Sequence, residues 1–302
     1  MVRVVAPAGP FLPEPFERGL AVLRDRFGLR PRMRPDVTAR SGYLAGGDDR
    51  RLAEWLEAVA DVEARAIWCA RGGYGSMRLL PRLEPERLLR PPRLVIGFSD
   101  ITALHVALNQ AGLATVHGPV VTQLGQLPAD ALDHLEALLF GRPAPGGEGG
   151  PGAGAGVTGQ GVIRAGRAAG PLRGGSLTLL AALCGTPWQP RLAGAVLFLE
   201  EIGERPYRLD RTLAQLRLSG ALEGVQGVAV GQLTGCDEPG IEGAAVLREL
   251  VRELEVPAIE GVAAGHESRN LALPLGTRVA LVAPEGAADG PPRLVFDEGA
   301  VA

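Results

Sequence analysis

The 302-residue sequence predicts an α/β protein built on a mostly parallel sheet, and three observations carry that prediction. Short apolar runs such as "VRVVAPA", "ARAIWCAR" and "LVIGFSD" read as buried strands. Stretches such as "DDRRLAEWLEAVAD" space their apolar residues as an amphipathic helix does. The two kinds of segment alternate, which favours a parallel sheet covered on both faces.

In chain order, "VRVVAPA" is the first strand, followed by a polar turn and the helix "EPFERGLAVLRDRFG". "DDRRLAEWLEAVAD" is the second helix and "ARAIWCAR" the next strand, closing in glycine. "LVIGFSD" leads into a helix through Gln110, and "ATVHGPVV" holds a short strand. From Gly141 to Gly161 about half the residues are glycine, a composition that cannot bury enough side chain to fix a core. This stretch is expected to be a linker between domains spanning 1–140 and 162–302. The second half offers the helices "LTLLAALCG", "RLDRTLAQLRLSG" and "AAVLRELVREL" and the strands "GAVLFLE" and "GVQGVAVGQL". "TRVALVA" and "RLVFDE" form a closing hairpin. The mixture points to a smaller α/β domain that does not repeat the first topology.

Bulk properties exclude several classes. Hydrophobic residues make up 46% and charged residues 22%, ordinary for a globular chain. The formal net charge of −3 gives no global positive field for nucleic acid or an anionic membrane. All 31 basic residues are arginine, a bias we attribute to genome composition. Aromatics, at 4%, are too few for a stacking platform on single strands. No signal peptide or apolar span is apparent, and Cys69, Cys184 and Cys236 form no CxxC pair. The expectation is a cytoplasmic protein with reduced thiols. HExxH and paired Cys/His spacings are missing, so neither a metal nor a cofactor is expected.

The chemistry centres on "IGFSDITALHVAL". Ser99 sits where a buried strand turns into a helix, a corner that projects its side chain and aims the following amides at one point. It fits a nucleophile, although Ile101 stands where a G-x-S-x-G elbow has glycine, and a helix N-cap is the commoner role of a serine so placed. "CARGGYGSMRLL" lacks the Lys-Ser/Thr of a P-loop and suits an oxyanion loop or a tight turn. "GAVLFLEEIGERPYR" ends a strand in Glu200-Glu201, either of which can orient a histidine or lie in solvent. His105 and His134 read as structural or solvated. His117 and His266 are both candidate bases, and only His266, in a glycine-flanked loop, completes a Ser…Glu…His order.

Taken in order, "VVAPAGP", "ARGGYGSMRLLPRL", "IGFSDITALHVAL", "VHGP", "LRGGSLTLLAALCGTPW", "VLFLEEIGERPYRLDRTLAQL" and "GHESRNLALPLGTRVAL" resemble the LD-carboxypeptidase family. These serine peptidases include muramoyltetrapeptide carboxypeptidases and microcin C self-immunity peptidases. The resemblance implies a flavodoxin-like N-terminal domain, a swivelling-type C-terminal domain and a homodimer. It makes Ser99 the nucleophile, Glu200 the acid, with Glu201 one residue away, and His266 the base. The expected oxyanion donors are the amides of Asp100 and of Gly72 or Gly73, while Arg71 or Arg78 would take the substrate carboxylate. Ser176 stands where family members often carry Asn, and is expected to touch substrate. The implied reaction removes D-alanine from a murein tetrapeptide in cell-wall recycling, without nucleic acid or membrane as partner. Cleavage of a peptidyl-adenylate, or a non-catalytic binding protein in which Ser99 is a cap, are the alternatives.

Overall fold

A computed structural model describes residues 1–89, 92–141 and 156–297. Five strands of the front half, β1 (Val2–Val5), β2 (Pro31–Arg32), β3 (Ala66–Cys69), β4 (Leu94–Gly97) and β5 (Thr115–His117), pair in parallel in the order β2-β1-β3-β4-β5. That is the strand order of flavodoxin-like sheets. Helices α1 (Pro13–Ala21), α2 (Asp48–Ala60), α3 (Thr102–Gln110), α4 (Val121–Leu124) and α5 (Ala129–Phe140) belong to the same half.

Alternation along each strand explains why these runs are apolar throughout. Val5, Ile67 and Val95 pack with Leu52 and Trp55 of α2 and Leu104 of α3. Their neighbours Val4, Trp68 and Ile96 pack on the other face with Phe16 and Leu20 of α1 and Leu135 of α5. The two tryptophans reach full burial because each indole N–H finds a carbonyl: Trp55 donates to Leu83 at 3.2 Å and Trp68 to Pro119 at 2.8 Å.

The back half forms an eight-stranded mixed sheet. Its strands are β6 (Gly156–Thr158), β7 (Gly161–Arg164), β8 (Gly166–Ser176), β9 (Val196–Ile202), β10 (Gly227–Thr234) and β11 (Ala258–Glu260), with β13 (Arg278–Ala283) and β14 (Arg293–Phe296), in the order β6-β14-β13-β8-β9-β10-β11-β7. Helices α6 (Leu177–Ala182), α7 (Pro206–Leu218) and α8 (Gly243–Arg252) connect them. The outermost strands β6 and β7 are joined only by Gly159-Gln160, so the sheet curls until its ends approach. The hairpin expected from "TRVALVA" and "RLVFDE" is the antiparallel pair β13–β14.

Two features depart from the expected domain limits. Of the 141–161 stretch, residues 142–155 lie outside the described residues, but Gly156–Thr158 is already strand β6, paired with β14. Its Val157 is buried, which ties this glycine-rich sequence into the core. Further on, β12 (Leu273–Leu275) leaves the back half and pairs antiparallel with β5, as the sixth strand of the front sheet. Both buried clusters also mix residues of the two halves, for example Leu104 with Leu177 and Leu180. The core is continuous across the expected boundary.

Close contact there depends on glycine. A Cβ on Gly175 would stand 2.4 Å from Thr102 Oγ1, and the next amide, Ser176 N–H, donates to that oxygen at 3.1 Å. The helix after Ser99 is thereby fastened to the end of β8.

Candidate active site

Loops at the carboxyl ends of β1, β3 and β4 converge, as the switch point of such a sheet leads one to expect. The Gly9 N–H donates to the Gly72 carbonyl at 3.0 Å. A Cβ on Gly72 would lie 2.9 Å from the Ser99 Cβ and 3.2 Å from its Oγ, so only glycine lets this backbone lie against the serine. Ser99 itself has φ 65°, after an extended Phe98 at −154°. Such a left-handed residue costs of order 1–3 kcal/mol and is held by its surroundings. Neither the turn Ser99–Ile101 nor α3 has a side-chain cap hydrogen bond. The Ser99 hydroxyl is directed elsewhere.

Its partner is His266. Ser99 Oγ lies 2.9 Å from His266 Nε2, and His266 Nδ1 lies 2.8 Å from Glu200 Oε2. A carboxylate only accepts, so the imidazole donates from Nδ1 and its Nε2 is free to accept the serine proton. Glu200 is fully buried and the His266 side chain is 13% exposed, while Ser99 is half-buried. Phe98 packs against the imidazole with ring centroids 4.8 Å apart. The loop that carries His266 is fixed by polar residues. Gly265 N–H donates to Asn270 Oδ1 at 3.0 Å, and Glu267 N–H to Gln232 Oε1 at 2.9 Å. Asn270 Nδ2 in turn donates to Gln123 Oε1 at 2.9 Å. These supports escaped the sequence reading; the only signal was a polar Gln232 inside the apolar run "GVAVGQL".

Strand alternation separates the two neighbouring acids. Glu200 faces His266, whereas Glu201 accepts from the Thr178 N–H at 2.7 Å and the Ile202 N–H at 2.9 Å. Ser176 belongs to this second arrangement. It is buried, caps α6 through the Leu179 N–H at 3.4 Å and donates to Glu201 at the same distance. The Ser176 hydroxyl is thus engaged with the start of α6 and with Glu201. Burial raises the Glu201 carboxyl above the ordinary glutamate range, opposed by the Ile202 and Thr178 amides. A carboxyl raised in the folded state binds more protons there than in the unfolded chain. Its contribution to stability thus falls as pH rises from the usual glutamate value to the folded one. Glu201→Gln removes that titration, and melting curves across this range should show a shallower decline for the variant than for the parent.

The remaining candidates are placed as follows. Gly73, with φ 105°, follows Gly72 in the glycine loop and lies against Gly9, and Asp100 follows Ser99 at the helix start. Arg78 is exposed and engaged with Asp48 Oδ2 at 2.9 and 2.7 Å. Arg71 donates to the Pro10 carbonyl and lines an open cavity of about 290 Å³ with Phe11, Pro15, Thr122 and Gln126. His117, the other candidate base, is fully buried between Phe98 and Phe198, at centroid distances of 5.7 and 4.9 Å. Burial holds it neutral, well below the usual imidazole range, and neither of its nitrogens has a partner among the described residues. His105 is also buried, bonded to the Gly97 carbonyl at 2.8 Å, and burial lowers its pKa to about 4. His134 bonds the Ala272 carbonyl at 2.8 Å. Among the described residues no helix is long and apolar enough to cross a membrane.

Comparison with known proteins matches both halves to one family. Residues 2–118 match the LD-carboxypeptidase N-terminal domain and residues 169–281 the LD-carboxypeptidase C-terminal domain. A Streptomyces coelicolor protein named as a carboxypeptidase is 40% identical over 293 residues, 94% of this chain and 91% of its own. The murein tetrapeptide carboxypeptidase of Pseudomonas aeruginosa is 34% identical over 296 residues, 93% of this chain and 92% of its own. The crystal structure of muramoyltetrapeptide carboxypeptidase from Oxalobacter formigenes superposes with a TM-score of 0.82 at 28% identity, covering 97% of this chain and 98% of that one.

Proposed function

The chain belongs to the LD-carboxypeptidase family, and we propose that it is a serine hydrolase of murein peptides that releases the terminal D-alanine of a tetrapeptide. The observation that carries the reading is the continuous link Ser99–His266–Glu200, at 2.9 and 2.8 Å, built from positions 99, 200 and 266. The identities to carboxypeptidase relatives over almost the whole chain favour this substrate class. We assign the enzyme to the cytoplasm, a reading supported by the free thiols Cys69, Cys184 and Cys236.

In this mechanism Ser99 Oγ attacks the carbonyl of the L-centre that precedes the D-residue. His266 Nε2 takes the hydroxyl proton, and the buried Glu200 stabilises the imidazolium that results. The oxyanion forms beside the Asp100 amide and the amide of Gly72 or Gly73; one such donor is worth about 3 kcal/mol of barrier. His266 then gives its proton to the departing D-alanine amine. Water, activated by the same imidazole, frees the acyl group from Ser99. Arg71, which lines the cavity beside Phe11, is the candidate for the leaving carboxylate, since a guanidinium matches a carboxylate in shape and charge.

The direct test is D-alanine release from L-Ala-γ-D-Glu-meso-diaminopimelate-D-Ala. Cleavage of a peptidyl-adenylate but not of this tetrapeptide would overturn the substrate assignment. Cleavage of neither would overturn the hydrolase.

A further inference from the structure

We propose that the buried Arg51, which lies on α2, is a positioning residue of the oxyanion site. With the Asp100 carboxylate it would hold the glycine loop against Ser99. The inference rests on Ser99 being the nucleophile and concerns how its oxyanion donors are kept in place.

The loop from Gly72 to Ser76 has little intrinsic shape of its own. Gly73 and Gly75 adopt φ of 105° and 132°, values open mainly to glycine, whose backbone loses the most freedom on ordering. Something outside the loop must fix it, and two fully buried side chains do so. Arg51 donates from one nitrogen to the Gly75 carbonyl at 2.8 Å and to the Pro7 carbonyl, and from another to Asp48. Its guanidinium joins the loops after β1 and β3, the two that meet at Gly9 and Gly72. At the next residue Asp100 accepts the Ser76 N–H at 2.8 Å, and the Ser76 hydroxyl donates to the Asp100 carbonyl at 2.5 Å.

Asp100 is the residue after the serine, so its own amide and the loop amides are fixed by one network. A planar guanidinium with a fork of donors suits this task; a lysine offers one point charge on a flexible stem. Oxyanion stabilisation is especially sensitive to such placement, because an error of about 1 Å can cost a factor of roughly 100 in rate. The Arg51 side chain is fully buried, so it acts through the groups it joins rather than by direct contact with a ligand.

The test uses the full chain with Arg51→Lys and, as a milder probe, Ser76→Ala, which removes only the hydroxyl clasp. Each is assayed for kcat and KM on the tetrapeptide. Each is also assayed for affinity toward a peptide boronic acid carrying the acyl half of the tetrapeptide. In that adduct the serine oxygen bonds to boron and its proton passes to His266, leaving a tetrahedral anion that needs the oxyanion donors. The expected result is a fall in kcat of about 10- to 100-fold for Arg51→Lys and several-fold for Ser76→Ala, with KM within about twofold and boronate affinity falling in step with kcat. Affinity for the intact tetrapeptide, measured in the Ser99→Ala background where no tetrahedral anion can form, should be unchanged by either substitution. If Arg51→Lys does not fold, Arg51→Gln takes its place, with Ser76→Ala as the test of the Asp100 side of the network. Boronate binding and kcat at parental levels in a folded variant would overturn the positioning role and leave the hydrolase intact. A parent that forms no adduct at Ser99 would overturn both.

Discussion

Ser99→Ala is expected to lower kcat on the tetrapeptide by about 10⁵- to 10⁶-fold, the scale on which removal of a triad nucleophile acts. Each factor of ten corresponds to about 1.4 kcal/mol, so the loss amounts to some 7–8 kcal/mol of barrier. A serine acting as a helix cap would behave otherwise: its loss lowers stability by about 1 kcal/mol and leaves chemistry alone. The fold makes the two outcomes separable. Ser99 adopts φ 65° without a capping bond, and alanine meets the same backbone demand as serine. The melting temperature of the variant should therefore stay close to the parent's while D-alanine release falls to background. Retained turnover in the variant would remove Ser99 from the mechanism.

Glu200→Gln should lower kcat by about 10³- to 10⁴-fold, chiefly through loss of the negative charge that stabilises the imidazolium and fixes its tautomer. The expected effect on stability runs the other way. Glu200 is fully buried, with one oxygen on His266 Nδ1 at 2.8 Å and the other without a partner among the described residues. A carboxylate in that setting has lost its water for a single hydrogen bond, so a neutral amide of the same shape should leave the fold as stable or more so. Kinetics and thermal melting of the same preparation check both. A variant that loses stability and activity together would point to Glu200 as a fold-maintaining residue alone.

Much of the front sheet could be read from the chain because each strand is a short apolar run and each helix shows its own spacing. The corner at Ser99 was visible for the same reason: Leu94–Gly97 is unmistakably a buried strand and the helix begins after four intervening residues. Glu200 and Glu201 could not be told apart, since adjacent strand residues face opposite sides and the sequence does not state which side is the cleft. The link from Ser176 to Glu201 was not legible either, because the two are distant in sequence and are brought near only by the pairing of β8 with β9. Strand β8 itself was obscure. Its glycines weaken strand propensity, yet a Cβ on Gly174 would stand 1.9 Å from the Phe198 carbonyl oxygen, so close backbone packing demands them. Arg51 was hidden for a different reason: on a helix with charged neighbours nothing in the pattern distinguishes a fully buried arginine from a solvated one.

Strand β12 begins seven residues after His266 and is stitched to β5, with Leu273 opposite His117 and Leu275 opposite Thr115. The polypeptide thus doubles back and returns a stretch of its tail to the sheet from which it started. Such a molecule is not two interchangeable cassettes. Expressed alone, the leading portion would present Thr115–His117 as a raw edge, its amides and carbonyls open to any passing strand and prone to self-association. Gene fission or shuffling between the halves is correspondingly disfavoured, and the same backbone seam keeps the imidazole in register with the hydroxyl it serves.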